Sequence, residues 1–177
     1  SATKDIEVIV KNVADAPVGT GINGTSTDGV YKVSTNATED TIYNLKSIYT
    51  TPASLTSSDS SEELTVRIKF PDGSGITLDS GTPYYIDNGE YVVKVSDITS
   101  DKVNIKFPEN FSGDASFDLT YVTTEKAGEN DSKTWHTDKV NIFVNPVADD
   151  VTIAKDSIIY EDGKDKDGNA LNTKIDL

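Results

Sequence analysis

The chain has no cysteine and no methionine, and a single histidine among its 177 residues. Without thiols, neither a disulfide framework nor a thiolate zinc site can form. A secreted domain of this composition has to rely on its core or on a metal held through oxygen. The lone histidine, His136, is too little for a nitrogen-rich metal centre and has no evident triad partners in the sequence. Positive charge is scarce as well. Sixteen Lys and Arg stand against 30 Asp and Glu, for a formal net charge of −14 and a pI near 4.3. Such a surface repels phosphate backbones and anionic headgroups, which argues against nucleic-acid binding, and it attracts divalent cations. No apolar run approaches the ~18 residues needed to cross a bilayer, so direct membrane insertion is not expected. No signal peptide is visible. No glycine-rich phosphate loop is present, and nothing marks one pair among the 30 acids for glycosidic chemistry. The chain is read as a non-enzyme.

Hydrophobic residues make up 35% of the chain, which is little for one compact domain, but they cluster instead of thinning out as in disorder. Ile6, Val8 and Val10 alternate with polar neighbours, as a half-buried strand requires. The same period runs through Leu64, Val66, Ile68 and Phe70, through Tyr91, Val93 and Val95, and through Val103, Ile105 and Phe107. It returns at Phe117, Leu119 and Tyr121, and at Val140, Ile142 and Val144. Turn chemistry separates the runs at Pro71-Asp72-Gly73, Asp87-Asn88-Gly89 and Ser112-Gly113-Asp114. Asn88-Gly89 predicts a tight hairpin between Tyr84-Tyr85-Ile86 and Tyr91-Val92-Val93. Thr50 to Ser61 and Glu125 to Ser132 read as loops. No window holds a helical period over three turns. The chain reads as all-β.

An internal repeat organises it. Val8-Ile9-Val10-Lys11-Asn12-Val13-Ala14-Asp15 returns as Ile142-Phe143-Val144-Asn145-Pro146-Val147-Ala148-Asp149, and Glu39-Asp40 returns in the same order as Glu161-Asp162. Three pieces are expected: residues 1–13 as the terminal strand of a preceding repeat, 14–147 as one complete unit, and 148–177 as a linker and the opening of the next. The chain thus looks excised from something longer.

The order of motifs resembles the tandem β-sandwich repeats of giant RTX adhesins exported by type I secretion. The carrying residues are Glu39-Asp40, the run from Asp59 to Val66, the run Pro108-Glu109-Asn110-Phe111-Ser112-Gly113-Asp114, and the closing strand from Val140 to Asp149. The first linker, Val13 to Pro17, keeps the family's Val-Ala-Asp-Ala-Pro, whereas Asp150-Val151 stands in place of Ala-Pro in the second. Asp59 is followed by Ser60 where the family has glycine. The resemblance implies an Ig-like or cadherin-like antiparallel β-sandwich of Greek-key type. It implies an extender that projects distal ligand-binding domains from a bacterial cell surface during attachment and biofilm formation. It also implies that neighbouring repeats of the same chain are the immediate partners.

In such arrays Ca²⁺ collects six to eight hard oxygens where linker acids meet the loops of facing domains. By analogy the expected ligands are Asp15 with Glu39 and Asp40 at the first junction, and Asp149, Asp150, Glu161 and Asp162 at the second. The same acids also suit Asx turns and strand ends. Asp165, Asp167 and Gly168 echo half of a calcium loop, but Gly163 falls on its first ligand position, and the segment reads as a solvated turn. Trp135 reads as core packing, and Tyr84, Tyr85 and Tyr91 as cross-strand packing around the hairpin. The alternative function is binding of a host or surface glycan or peptide through the two long loops.

Overall fold

The computed structural model describes residues 7, 8, 11, 13–19, 21–126 and 131–148. The chain divides into two compact units, Ser1–Val147 and Ala148–Leu177. The first unit is built of strands, as the alternation predicts. Ile6 and Val10 lie outside the described residues, and Val8 is 77% exposed and in no strand.

Its elements follow in chain order. They are β1 (Gly24–Thr27), β2 (Val30–Val33), β3 (Ala37–Thr38), β4 (Ile42–Asn44), β5 (Glu62–Lys69), β6 (Thr77–Leu78), β7 (Tyr85–Asp87), β8 (Glu90–Lys94), a one-turn helix α1 (Val95–Thr99), β9 (Asn104–Lys106), β10 (Gly113–Glu125) and β11 (Ser132–Asn145). An eight-stranded sheet runs β1-β2-β11-β10-β5-β8-β7, with β3 also pairing β11; a three-stranded sheet runs β4-β9-β6. Most pairs are antiparallel, but β11 pairs β2 and β3 in parallel. The expected all-antiparallel arrangement is therefore corrected at the edge where the entry strands meet the last one.

One buried cluster joins the two sheets. Leu64, Val66 and Ile68 of β5, Phe117, Leu119 and Tyr121 of β10, and Val140, Ile142 and Val144 of β11 all lie in it. Their period of two sends every second side chain to the same face. The small sheet adds the row Tyr43, Ile105 and Leu78, set by direct register across its three strands. Phe70 meets Phe117 edge-on at 5.5 Å, a geometry aromatic pairs prefer.

Turn chemistry fixes the hairpins. Asp87 faces Glu90 across Asn88 and Gly89, whose φ values of 51° and 80° are those of a type I′ turn. The β1–β2 hairpin repeats this with Asp28 and Gly29 at 52° and 77°. Val95 does not extend β8. It opens α1 instead, because Val95 and Ile98, three apart, are buried together on one side of a helical turn. The segment from Thr50 to Ser61 is not a free excursion. Val18 and Thr56 exchange backbone hydrogen bonds of 2.9 and 3.0 Å across it, and Ile22 bridges Tyr49. Gly19 passes so close to this segment that a Cβ there would lie 2.3 Å from the Ser54 carbonyl oxygen.

Candidate functional site

The strand register carries acidic side chains to both ends of β10. Along β5, Glu62 is in phase with Leu64, Val66 and Ile68; along β10, Glu125 is in phase with Phe117, Leu119 and Tyr121. Both glutamates therefore continue the core-facing stripe, and they are only 1% and 3% exposed. They also stand directly opposite each other in the β5–β10 register. Like charges placed so repel.

Asp15 reaches this end of the sheet. Its backbone N–H donates to Glu62 Oε1, and Ser58 Oγ donates to Asp15 Oδ2 at 3.2 Å and to Glu62 Oε2 at 3.5 Å. The Asp15 carbonyl accepts from Thr123 Oγ1 at 2.8 Å, and Thr123 Oγ1 accepts in turn from Trp135 Nε1 at 2.6 Å. Ala14, 2% exposed, donates its N–H to Asp131 Oδ2. The linker residues thus run into a pole made from the start of β5, the end of β10 and the start of β11. Asp59 lies on the loop leading into β5. Bonds from the hydroxyl and the N–H of Ser61 hold its carboxyl below the usual range.

Glu39 and Asp40 sit elsewhere, and the expected grouping of Asp15 with them is corrected. Glu39 N–H donates to the Asn145 carbonyl, and Val147 N–H donates to Glu39 Oε2 at 2.7 Å. Asp40, with a left-handed φ of 56°, accepts from Asn110 N–H at 3.1 Å. Asn145 follows Val144, the partner of Gly113, so this is the opposite end of β10. At ~3.3 Å per residue the two ends are roughly 40 Å apart. The reason is topological: between Asp15 and Glu39 the chain travels the length of the sheet through β1, β2 and β3. Asp149, Asp150, Glu161 and Asp162, and the Asp165–Gly168 segment, lie outside the described residues.

The donors at the Asp15 pole are hard oxygens of the kind Ca²⁺ takes: two opposed glutamates, a linker aspartate and a serine hydroxyl. The donor chemistry fits. The arrangement is nonetheless closed by hydrogen bonds within the protein, and among the described residues no three acidic or histidine side chains converge closely enough to hold a metal. Glu62 and Glu125 were missing from the expected ligand set. The signal that finds them is a carboxylate in phase with an apolar period-two stripe.

His136 lies beside this pole at a bulge. The register slips between Thr120 and Val122, which sets both Trp135 and His136 against Tyr121. The imidazole packs on the Tyr121 ring at 4.7 Å, with Nε2 3.5 Å from Asp138 Oδ2. Tyr121 donates to the Tyr49 hydroxyl at 3.3 Å. Burial pushes both phenols up, so they stay protonated and neither is activated as a nucleophile. Burial also raises Asp138, against the lowering effect of His136 and of a hydrogen bond from Tyr121. Trp135 is half-buried, with Lys133 Nζ 3.9 Å from its ring centroid, so it is a packed flank of the sheet and not its centre.

No known protein family, no curated protein and no solved structure matches the chain. No helix among the described residues is long and apolar enough to cross a membrane.

Proposed function

We propose that residues 14–147 form an Ig-like or cadherin-like β-sandwich of Greek-key type that serves as a calcium-stabilised extender. It would be one repeat in a bacterial surface adhesin of the RTX kind, secreted and held outside the cell. One observation carries this reading. The two linker segments leave the unit from opposite ends of its longest strand, and each is fastened there by a buried glutamate accepting a linker N–H: Glu62 from Asp15, and Glu39 from Val147. A module with its entrance and exit at opposite poles, both anchored, passes load along its length.

Calcium would add to this at the Asp15 pole only where carboxylates of an adjoining repeat join Asp15, Glu62 and Glu125, which do not by themselves converge into a metal site. When bound, it neutralises the opposed carboxylates. Asp15 and Thr123 keep the linker in register, and Trp135 covers the Thr123 hydroxyl. The mixed chemistry of an acidic, thiol-free, strand-built chain suits folding in a calcium-rich exterior by linkage. The test is small-angle scattering from a chain carrying two consecutive copies. The reading expects a larger maximum dimension in calcium than in chelator, with the difference lost in Asp15→Ala. Identical profiles under both conditions overturn it.

A further inference from the structure

The outer face of the large sheet carries a second arrangement of side chains at the end far from β1. Strand β7 is the last of its sheet. Tyr85 on β7 is 57% exposed. In the register Tyr85 faces Val92, and Val92 faces Arg67, so ring and guanidinium flank one buried valine on the same side of three adjacent strands. Arg67 reaches across β8 to Asp87 Oδ2 at 2.6 Å and Glu90 Oε2 at 3.3 Å. Two residues along β8 in the other direction, Lys94 Nζ meets Glu63 Oε1 at 2.8 Å. Tyr85 therefore lies between two clusters of hydrogen-bonding groups, on a strip about 13 Å long at ~3.3 Å per residue.

The strip is rigid underneath. Tyr84, whose side chain alternates with that of Tyr85, packs edge-on against Tyr91 at 5.1 Å, and Tyr91 packs against Phe70 at 5.5 Å. This chain of rings ties β7 to the core, so the backbone that carries Tyr85 is held before contact. Asp87, Glu90 and Arg67 keep 38%, 25% and 25% of their side-chain surface in solvent. A guanidinium has five donors and a carboxylate about four acceptor sites, so two ion pairs leave capacity for more partners.

Charge narrows the ligand. In a chain of net charge −14, this strip sets two cations against three carboxylates in contact with them. An anionic ligand finds no surplus of positive charge here. Addition of a peptide strand is disfavoured too, because β7 has three residues and follows Pro83, which lacks an N–H. A ligand with an apolar ring face and neutral hydroxyls around it meets every group: C–H surface on an aromatic ring, and vicinal hydroxyls on planar bidentate forks.

We propose that this face is a saccharide-binding site, taking a neutral pyranose chain with one sugar stacked on Tyr85 and its neighbours bonded by the Arg67–Asp87–Glu90 and Glu63–Lys94 groups. The site lies on the sheet face and not on the long loops, and it does not depend on calcium at the poles. The test applies the whole chain to an array of neutral glucan, xylan, mannan and galactan oligosaccharides, with hyaluronan and heparin fragments as acidic controls, followed by titration calorimetry with the strongest neutral binder. The expected result is binding of at least one neutral class, weakened about tenfold or more in Tyr85→Ala, as loss of a stacking partner implies. Tyr85→Trp keeps the binding, and Arg67→Lys weakens it by removing the fork while leaving the charge. Tyr85→Ala also uncovers part of Val92, so a cooperative unfolding transition retained within a few degrees of wild type, with Tyr85→Trp binding normally, separates lost binding from lost fold. Silence across the neutral sugars, binding confined to acidic fragments, or affinity unchanged in Tyr85→Ala overturns the proposal.

Discussion

The two ends of β10 use the same device under different electrostatic loads. At each, a buried glutamate accepts a hydrogen bond from linker backbone. At the Val147 end Glu39 lies just past the end of β3, in no strand pair, and its bond to a backbone donor is of the strong, charge-assisted kind. At the Asp15 end Glu62 has Glu125 directly opposite and the Asp15 carboxylate bound to the same serine hydroxyl. The first pole is complete with its backbone partner. The second gathers the Asp15, Glu62 and Glu125 carboxylates at one end of the sheet, where like charges directly opposite repel. The lesson is that anchoring the linker and binding a metal are separable tasks, and that the unit as described performs the first at both ends.

Substitutions can break or sharpen this contrast. The largest effect is expected from Glu39→Ala, which removes a side chain that is 7% exposed together with the charged acceptor of the Val147 N–H. A loss of about 2–3 kcal/mol in denaturant unfolding is predicted, the same with calcium or chelator. Thr123→Val follows at about 2 kcal/mol, since it strands both the Trp135 N–H and the Asp15 carbonyl. Because Trp135 is the only tryptophan, its emission should shift with the substitution, which reports the broken relay directly. Glu62→Gln should act in the opposite direction in chelator. The amide still accepts from Asp15 while the repulsion with Glu125 disappears, a gain of about 1 kcal/mol.

The smallest expected effect is a pH dependence at Asp138, near the Asp15 pole. Burial raises its folded-state pKa above the ordinary carboxylate value of 3.8. A group raised on folding contributes stability that is full below its unfolded value and is lost as pH rises through the folded one. Asp138→Asn should therefore leave stability near pH 3 unchanged and raise it slightly between the unfolded value and neutrality, measured as midpoints across a pH series. Equal slopes in both proteins would show that Asp138 titrates alike in folded and unfolded chains.

Much of the fold was legible because half-buried strands write their period into the sequence. The stripes of β5, β8, β9, β10 and β11 and the Asn88-Gly89 hairpin lie where alternation and turn chemistry put them, except that β8 stops at Lys94 and Val95 opens α1. The β1–β2 hairpin was not read from the sequence: its one signal is Asp28-Gly29, and β1 is Gly-Thr-Ser-Thr with no buried residue to mark it. Strands of two or three residues, such as β3, β4 and β6, are too short to show a period. The parallel pairing of β11 with β2 and β3 depends on where the chain turns back, which no local pattern records. At the site, Asp15 was legible through the repeated Val-Ala-Asp linker. Its partner was not: analogy with adhesin junctions suggested Glu39, whereas the intervening strands carry Glu39 to the far end and the register sets Glu62 beside Asp15.

The most direct measurement is the calorimetric unfolding midpoint of the wild type and of Glu62→Gln, each with excess calcium and with chelator. The account predicts a rise of several degrees with calcium in the wild type, and in Glu62→Gln a midpoint that starts higher in chelator and barely responds to the ion. A wild-type midpoint indifferent to calcium, or a calcium response that survives Glu62→Gln intact, would contradict the assignment of the Asp15 pole as the cation-bearing end.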